Sequence, residues 1–561
     1  MSAEGDDRAA VVLLWHMHQP EYRIDGSPLL PWTYLHALRG YTDMAEHLDA
    51  VPEARAVINF SPVLLDQLLN LAQDAQALAG QAAIPPAEPL LAALLELPTG
   101  VARTAVLRAC LRTHPRNAQD RYTDYARLAQ TARNALEQGE SAIAALSDTV
   151  VGDLVVWYHL IWLAESVRSG DPRARALIAH RHNFDAGHRS TLLALIGELL
   201  TKLVSRYRQM AAEGRIELSM SPYYHPILPL LLDFGSAREA APDTALPDEP
   251  YPGGRQQARW HLESARDRFE QVFGIRPRGC WPSEAAVSQA SIDLMHELGF
   301  DWFATSQSVQ NATLHQHGEQ LDPHSCTYRL RGNHMLCFFR DDGLSDRIGF
   351  VYKDWQPRDA VADLVHRVEQ LATHREGRTV VLALDGENPW EYYPENGIEF
   401  VRGLYRALST HPRLRMATFA ECCDNAADSP PPELPRVVSG SWVHGQLLTW
   451  IGHADKNRCW QLLIDAKKAY DRHAGELSPA AREHALRLLG ICEGSDWFWW
   501  PGAFNPEAAV SDFDLMFRAH LQALYRGLGI DAPPELEQSL ISSAAADPQA
   551  AKALGAMLPS R

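Results

Sequence analysis

Histidines and carboxylates, His16, His18, Glu217, Glu284 and Asp385, recur at the end of or just after short apolar runs of this chain, where side chains able to move protons would be held by a rigid strand. Residues 11–15 (VVLLW) lead into His16-Met17-His18-Gln19-Pro20, and residues 215–220 (RIELSM) contain Glu217. Residues 278–281 (RGCW) lead into Pro282-Ser283-Glu284, and residues 379–384 (TVVLAL) into Asp385-Gly386-Glu387-Asn388-Pro389-Trp390. A carboxylate after a strand commonly caps a helix, a lone histidine is commonly a satisfied core residue, and a tryptophan is commonly core. Four such places, two of them beside Trp281 or Trp390, fit a shared site better. In a β/α barrel all strand ends open on one mouth, where the active site is built.

Carboxylates and tryptophans, without a Lys/Arg cluster or a Gly-rich phosphate loop, suit an uncharged polyhydroxyl ligand. Indole faces stack on the C–H faces of sugars and carboxylates accept their hydroxyls. Glycosidic cleavage needs two carboxyl groups, one donating a proton to the leaving oxygen and the other attacking the anomeric carbon or activating water. The donor must keep its proton near neutrality, through burial or a neighbouring carboxylate. Asp385, with Glu387 two residues away and Trp390 close by, meets that need. Two rival readings use the same residues. A barrel metallohydrolase would ligate a metal through His16, His18 and Asp385, leaving Glu284 and the tryptophans idle. A non-catalytic glucan-binding protein would need no carboxyl pair.

The elements that must position these groups alternate in type. Runs of four to six residues rich in Val, Ile and Trp read as buried parallel strands, including 56–60 (AVINF) and 300–305 (FDWFAT). Between them Leu192, Leu195, Ile196, Leu199, Leu200 and Leu203 share one helical face. The pattern predicts an α/β fold with a parallel sheet and a mainly helical insertion at about 65–200, with an exposed turn at Pro85-Pro86. Asp428-Ser429-Pro430-Pro431-Pro432 reads as a linker. It divides a catalytic region, 1–427, from a helical region, 436–530, and a weakly tethered tail, 531–561. Ser511, with Asp514 three residues on, reads as a helix N-cap.

The chain has 561 residues, 46% hydrophobic and 22% charged, enough for a large core. Its 52 Lys+Arg against 70 Asp+Glu give a net charge of −18, which repels nucleic acid. No stretch has the length and apolarity of a membrane span, and the N-terminus lacks the features of a signal peptide. Eight cysteines show no CxxC pair, so a reducing cytoplasm is the expected home. No cofactor and no metal are expected. The oligomeric state stays open.

Five segments together resemble glycoside hydrolase family 57, the retaining α-glucan-active family of α-amylases, amylopullulanases, 4-α-glucanotransferases and glycogen branching enzymes. They are HMHQP with LPWTYLHALRGYTDM, GRIELSMSPYYHPILPLL, GCWPSEAAVS, LALDGENPWEYYP and GSWVHGQLLTWIGHADKNRCW. FFRDDGLSDRIGF and EGSDWFWWPG are also similar, closest to the amylopullulanase/α-amylase branch. The resemblance covers about residues 11–525 and implies an incomplete (β/α)7 barrel completed by C-terminal helices. It implies Glu284 as nucleophile and Asp385 as general acid/base, roughly 5–5.5 Å apart. His16 and His18 would bind the sugar at the scissile bond or hold the carboxyls, Glu217 would accept hydroxyls, and Trp281 would wall the subsite. Arg340 would reach a catalytic carboxylate, with a structural ion pair as the alternative. His225, Glu387, Trp390, Trp442, Trp450, Asp496 and Trp497 would line the cleft. The implied substrate is an α-glucan, cleaved at α-1,4 and in some members also α-1,6 linkages, with intracellular glycogen or maltodextrin preferred to extracellular starch. Transfer to a sugar hydroxyl is the alternative outcome within the family.

Overall fold

A computed structural model describes residues 8–79, 86–113, 118, 120–317, 327–373, 379–426, 430–502 and 507–541. Seven parallel strands form its frame: β1 (Ala9–Met17), β2 (Ala56–Phe60), β3 (Ile216–Met220), β4 (Gly279–Cys280), β5 (Trp302–Ser306), β6 (Leu336–Arg340) and β7 (Thr379–Asp385). They stand in the order β7-β1-β2-β3-β4-β5-β6. The sheet curves through 243°, an incomplete (β/α)7 barrel. Its seam is stitched where Asp341 N donates to Val381 O (2.8 Å) and the Arg340 Nε to Ala383 O (2.8 Å). A short antiparallel strand, Thr327–Leu330, extends the β6 edge.

Every residue of β1 is buried, because both faces of a barrel strand are covered. Its side chains alternate. Val11, Leu13, Trp15 and Met17 pack against the helices, while Ala10, Val12 and Leu14 fill the barrel with Val57, Trp302, Phe338, Val381 and Ala383. Phe419 closes the floor against Trp302 (4.3 Å between centroids) and Phe338 (4.5 Å). The inward series on β1 continues to His16, and that on β7 to Asp385. These two residues are register partners at the mouth.

Among the described residues, the stretch between β2 and β3 is helical, running from Pro62–Ala79 to Ala186–Ala212. Pro85 and the Asp428-Ser429 part of the linker lie outside the described residues. Beyond the linker, helices Ala454–His473, Pro479–Cys492, Asp496–Trp499 and Glu507–Gly527 pack on the barrel. Two expectations are corrected here. Ser511 is inside Glu507–Gly527 and caps nothing. The tail is docked as far as it is described, with Leu536 and Leu540 buried and Leu540 N donating to Asp514 Oδ1 (2.9 Å); residues 542–561 lie outside the described residues. No single described helix is long and apolar enough to cross a membrane.

Candidate active site

Glu284 sits four residues past β4, in a short turn (Ser283–Ala285) with φ 58°, a left-handed conformation that costs a non-glycine residue roughly 1–3 kcal/mol. The C-terminal region holds it there. Trp442 N donates to Glu284 O (3.2 Å), the Trp442 indole donates to Oε2 (3.0 Å), and the Ser495 hydroxyl donates to Oε1 (3.3 Å). Burial, then the charges of Asp496 and Asp385, push this carboxyl up to about 8, and the two donors oppose the rise. Asp385, at the end of β7, accepts from Asn388 Nδ2 (2.9 Å). Burial raises it, while Asn388, His18 and Arg340 lower it.

Three imidazoles stack beside these carboxyls, His225 Nδ1 lying 3.9 Å from Glu284 Oε1 and His16 being the register partner of Asp385. His225 lies 5.0 Å from His16 and 3.8 Å from His18, centroid to centroid, with interplanar angles near 20°. His16 Nδ1 meets Asn59 Oδ1 (2.6 Å), whose amide nitrogen donates to Ser219 (3.1 Å). The network therefore puts the His16 proton on Nδ1 and leaves Nε2 as an acceptor. Burial, with His18 beside it, lowers His16 to about 3, so it is neutral. His225, 1% exposed, is held the same way: Nδ1 faces the Ser495 hydroxyl (2.9 Å), and Nε2 has no protein partner. His18 spans Ser61 Oγ (2.8 Å) and Asp496 Oδ2 (3.0 Å).

Behind this layer, Glu493 accepts from the Tyr251 hydroxyl, Gln257 Nε2 (3.0 Å) and His261 Nε2 (2.6 Å), with no exposed surface on its side chain or on His261. That carboxylate fixes the turn carrying Ser495 and Asp496, and Ser495 N donates to His225 O (2.9 Å).

Five of the sequence-proposed residues have other work. Glu217 is the second residue of β3, not its end. It lies two residues below the His16–Asn59 layer, and both its oxygens are bound at the barrel floor by Trp302 Nε1 and Ala420 N (2.8 Å each). Trp390, 1% exposed, donates to Gly386 O and packs on Trp15. Trp450 has no exposed surface and lies against Trp499. Trp497 donates to Ile491 O and packs on Phe513, Phe517 and His520. These three indoles are core. Arg340 is the structural ion pair, bound to Asp342 (2.8 Å) and Asp346 (2.7 Å). Its cation acts on Asp385 from a distance.

Glu387 is 3% exposed and accepts from Gln19 Nε2 (3.1 Å), tying the two strand-end segments together below the cleft. Trp281, with no exposed surface, supports Trp442 edge-on at 5.4 Å. Sequence reading passed over Asn59, Ser61, Ser495 and Glu493. Asn59 carried a signal: it is the one amide in an apolar strand, on the face that turns inward.

One group, His18, His225 and Asp496, brings metal-compatible ligand atoms within 4.8 Å of one another. It is a different set from the His16, His18 and Asp385 of the metallohydrolase reading, and His18 already spends both ring nitrogens on Ser61 and Asp496.

The arrangement offers two buried carboxyls within electrostatic reach of each other, one braced by an indole and a hydroxyl, with imidazoles stacked beside them. The profile of glycosyl hydrolase family 57 matches residues 12–435. The chain belongs to that family. Similar solved structures include a family 57 branching enzyme from Thermococcus kodakaraensis, with 13% identity and TM-score 0.57 over 92% of this chain and 90% of that one. Others are the α-amylase AmyC from Thermotoga maritima, with 12% identity and TM-score 0.55 over 94% and 96%, and a 4-α-glucanotransferase from Thermococcus litoralis, with 12% and 0.52 over 93% and 60%. At these identities they share the fold. No relative among curated proteins matches the sequence.

Proposed function

We propose that this family 57 enzyme is a retaining glycoside hydrolase acting on α-glucans, cutting α-1,4 linkages by double displacement. The observation that carries the reading is the treatment of Glu284: a left-handed turn aims it, and Trp442 and Ser495 donate to its two oxygens. Donors to both oxygens favour the carboxylate over the acid, which a nucleophile requires. Burial opposes that ionisation; the reactive form has Glu284 ionised and Asp385 protonated.

Glu284 then attacks the anomeric carbon while Asp385 protonates the departing glycosidic oxygen, giving a covalent glycosyl-enzyme. Asp385, now ionised, takes a proton from water, whose oxygen displaces Glu284 and releases the sugar. His16, neutral, accepts a substrate hydroxyl through Nε2 without adding charge, while the buried His225 backs the layer. The seven cysteines among the described residues are all free thiols, which suits a cytoplasmic enzyme.

The test is product analysis from maltoheptaose and pullulan. Net reducing-end release from maltoheptaose is expected, lost in Glu284→Ala and in Asp385→Ala. Oligosaccharides longer than the substrate would replace hydrolysis by transfer, and maltotriose from pullulan would add α-1,6 cleavage.

A further inference from the structure

Seven large hydrophobic side chains are exposed among the described residues, and two of these are aromatic: Trp355 (42%) and Tyr392 (46%). Scattered exposed hydrophobics are ordinary, but these two lie on loops that follow neighbouring strands at the catalytic mouth. Trp355 comes after β6, which carries Arg340, and Tyr392 is seven residues past Asp385. A third exposed residue, Val351 (36%), is on the Trp355 loop.

The loops are firmly seated. Tyr393, beside Tyr392, is buried and its hydroxyl donates to Ile348 O (2.6 Å). Tyr352, also buried, donates to Asp363 Oδ2 (2.7 Å) and meets Trp355 edge-on at 5.4 Å. Lys353, two residues before Trp355, reaches across to Tyr392, its ammonium 5.9 Å from that ring's centroid and 3.2 Å from Asp354 Oδ2. Trp355 is thus carried on the buried Tyr352, and Tyr392 adjoins the buried Tyr393 in the chain, with the Lys353–Asp354 pair beside Tyr392.

We propose that Trp355 and Tyr392 form a stacking platform for glucosyl units of an α-glucan chain remote from the bond being cut. The platform deepens the α-glucan reading above and rests on it. Rigid aromatic faces take the C–H face of a pyranose at little entropic cost, and a paired Lys–Asp edge binds neutral hydroxyls without selecting an anion. Such contacts exist equally before and during bond cleavage. They therefore lower KM for long chains and leave kcat and short substrates unchanged.

The experiment uses the full chain with Trp355→Ala, Tyr392→Ala and both, assayed on glycogen and on maltotetraose. The double variant is expected to raise KM for glycogen about tenfold, with kcat and the maltotetraose KM within about twofold of the parent. Trp355→Phe should recover much of the loss in the single variant. An unchanged glycogen KM, as expected of a face that docks a protein, would overturn the platform, and so would equal losses on both substrates. If the unaltered enzyme turned over neither glucan, the α-glucan reading would fall and take the platform with it.

Discussion

Burial hinders the ionisation of Glu284, and Trp442 and Ser495 oppose that effect, so losing either donor should shift the acid limb of the pH profile. Removing the indole donor in Trp442→Phe takes away a lowering influence, so the Glu284 carboxyl rises. The acid limb of kcat/KM should move to higher pH by about one unit; an unmoved limb would separate Trp442 from Glu284. A second consequence concerns stability. A folded-state carboxyl raised to about 8 from 4.5 contributes stability below the unfolded value and loses it as pH climbs through 8. Glu284→Gln should therefore unfold at a higher temperature than the parent at pH 8–9 and at about the same temperature near pH 4. His16 and Asp385 were legible in the sequence because the two-residue alternation of β1 and β7 turns them inward. Glu217 was not: nothing in RIELSM shows where the strand begins, and two residues separate mouth from floor. Trp390 and Trp497 misled because an indole near a motif looks the same whether it faces sugar or core.

At the level of elements, the strand–helix alternation, the helical insertion and six of the seven strands could be read from apolar runs; β6 was not among them, and the seven-strand barrel was implied by the family resemblance. β4 is the weak case, two residues long, since the chain leaves the sheet early to turn Glu284 into the cleft. Gly279 shows how tight that strand is. A Cβ there would lie 1.8 Å from the Trp302 ring, so Gly279→Ala should destabilise by roughly 1–3 kcal/mol, measured by denaturant unfolding. The Glu493 cluster had no sequence signature because its partners lie some 230–240 positions upstream. Glu493→Gln replaces an acceptor with a donor facing three donors. The turn bearing Ser495 and Asp496 should shift, and kcat should fall roughly tenfold to a hundredfold while far-UV circular dichroism stays unchanged. A loss of KM alone would argue against the positioning role.

For the whole molecule, the barrel supplies both carboxyls, and the region beyond residue 435 supplies Trp442 and Ser495, which hold Glu284, and Asp496, which holds His18. That division was foreshadowed by the C-terminal motifs but not their partners, because a loop-to-loop hydrogen bond leaves no periodicity. A net charge of −18 should matter little to an uncharged substrate, so kcat/KM should vary less than about twofold between low salt and about 0.5 M salt. Exhaustive chelation should leave activity intact, whereas its loss would revive a metal at His18, His225 and Asp496. The most direct measurement is to trap the intermediate by incubating the enzyme with a fluorinated α-glucosyl fluoride and mapping the labelled peptide by mass spectrometry. One glucosyl adduct on Glu284, absent in Glu284→Gln, is the predicted result; an adduct on another residue, or turnover of the reagent with no adduct ever forming, would contradict the account.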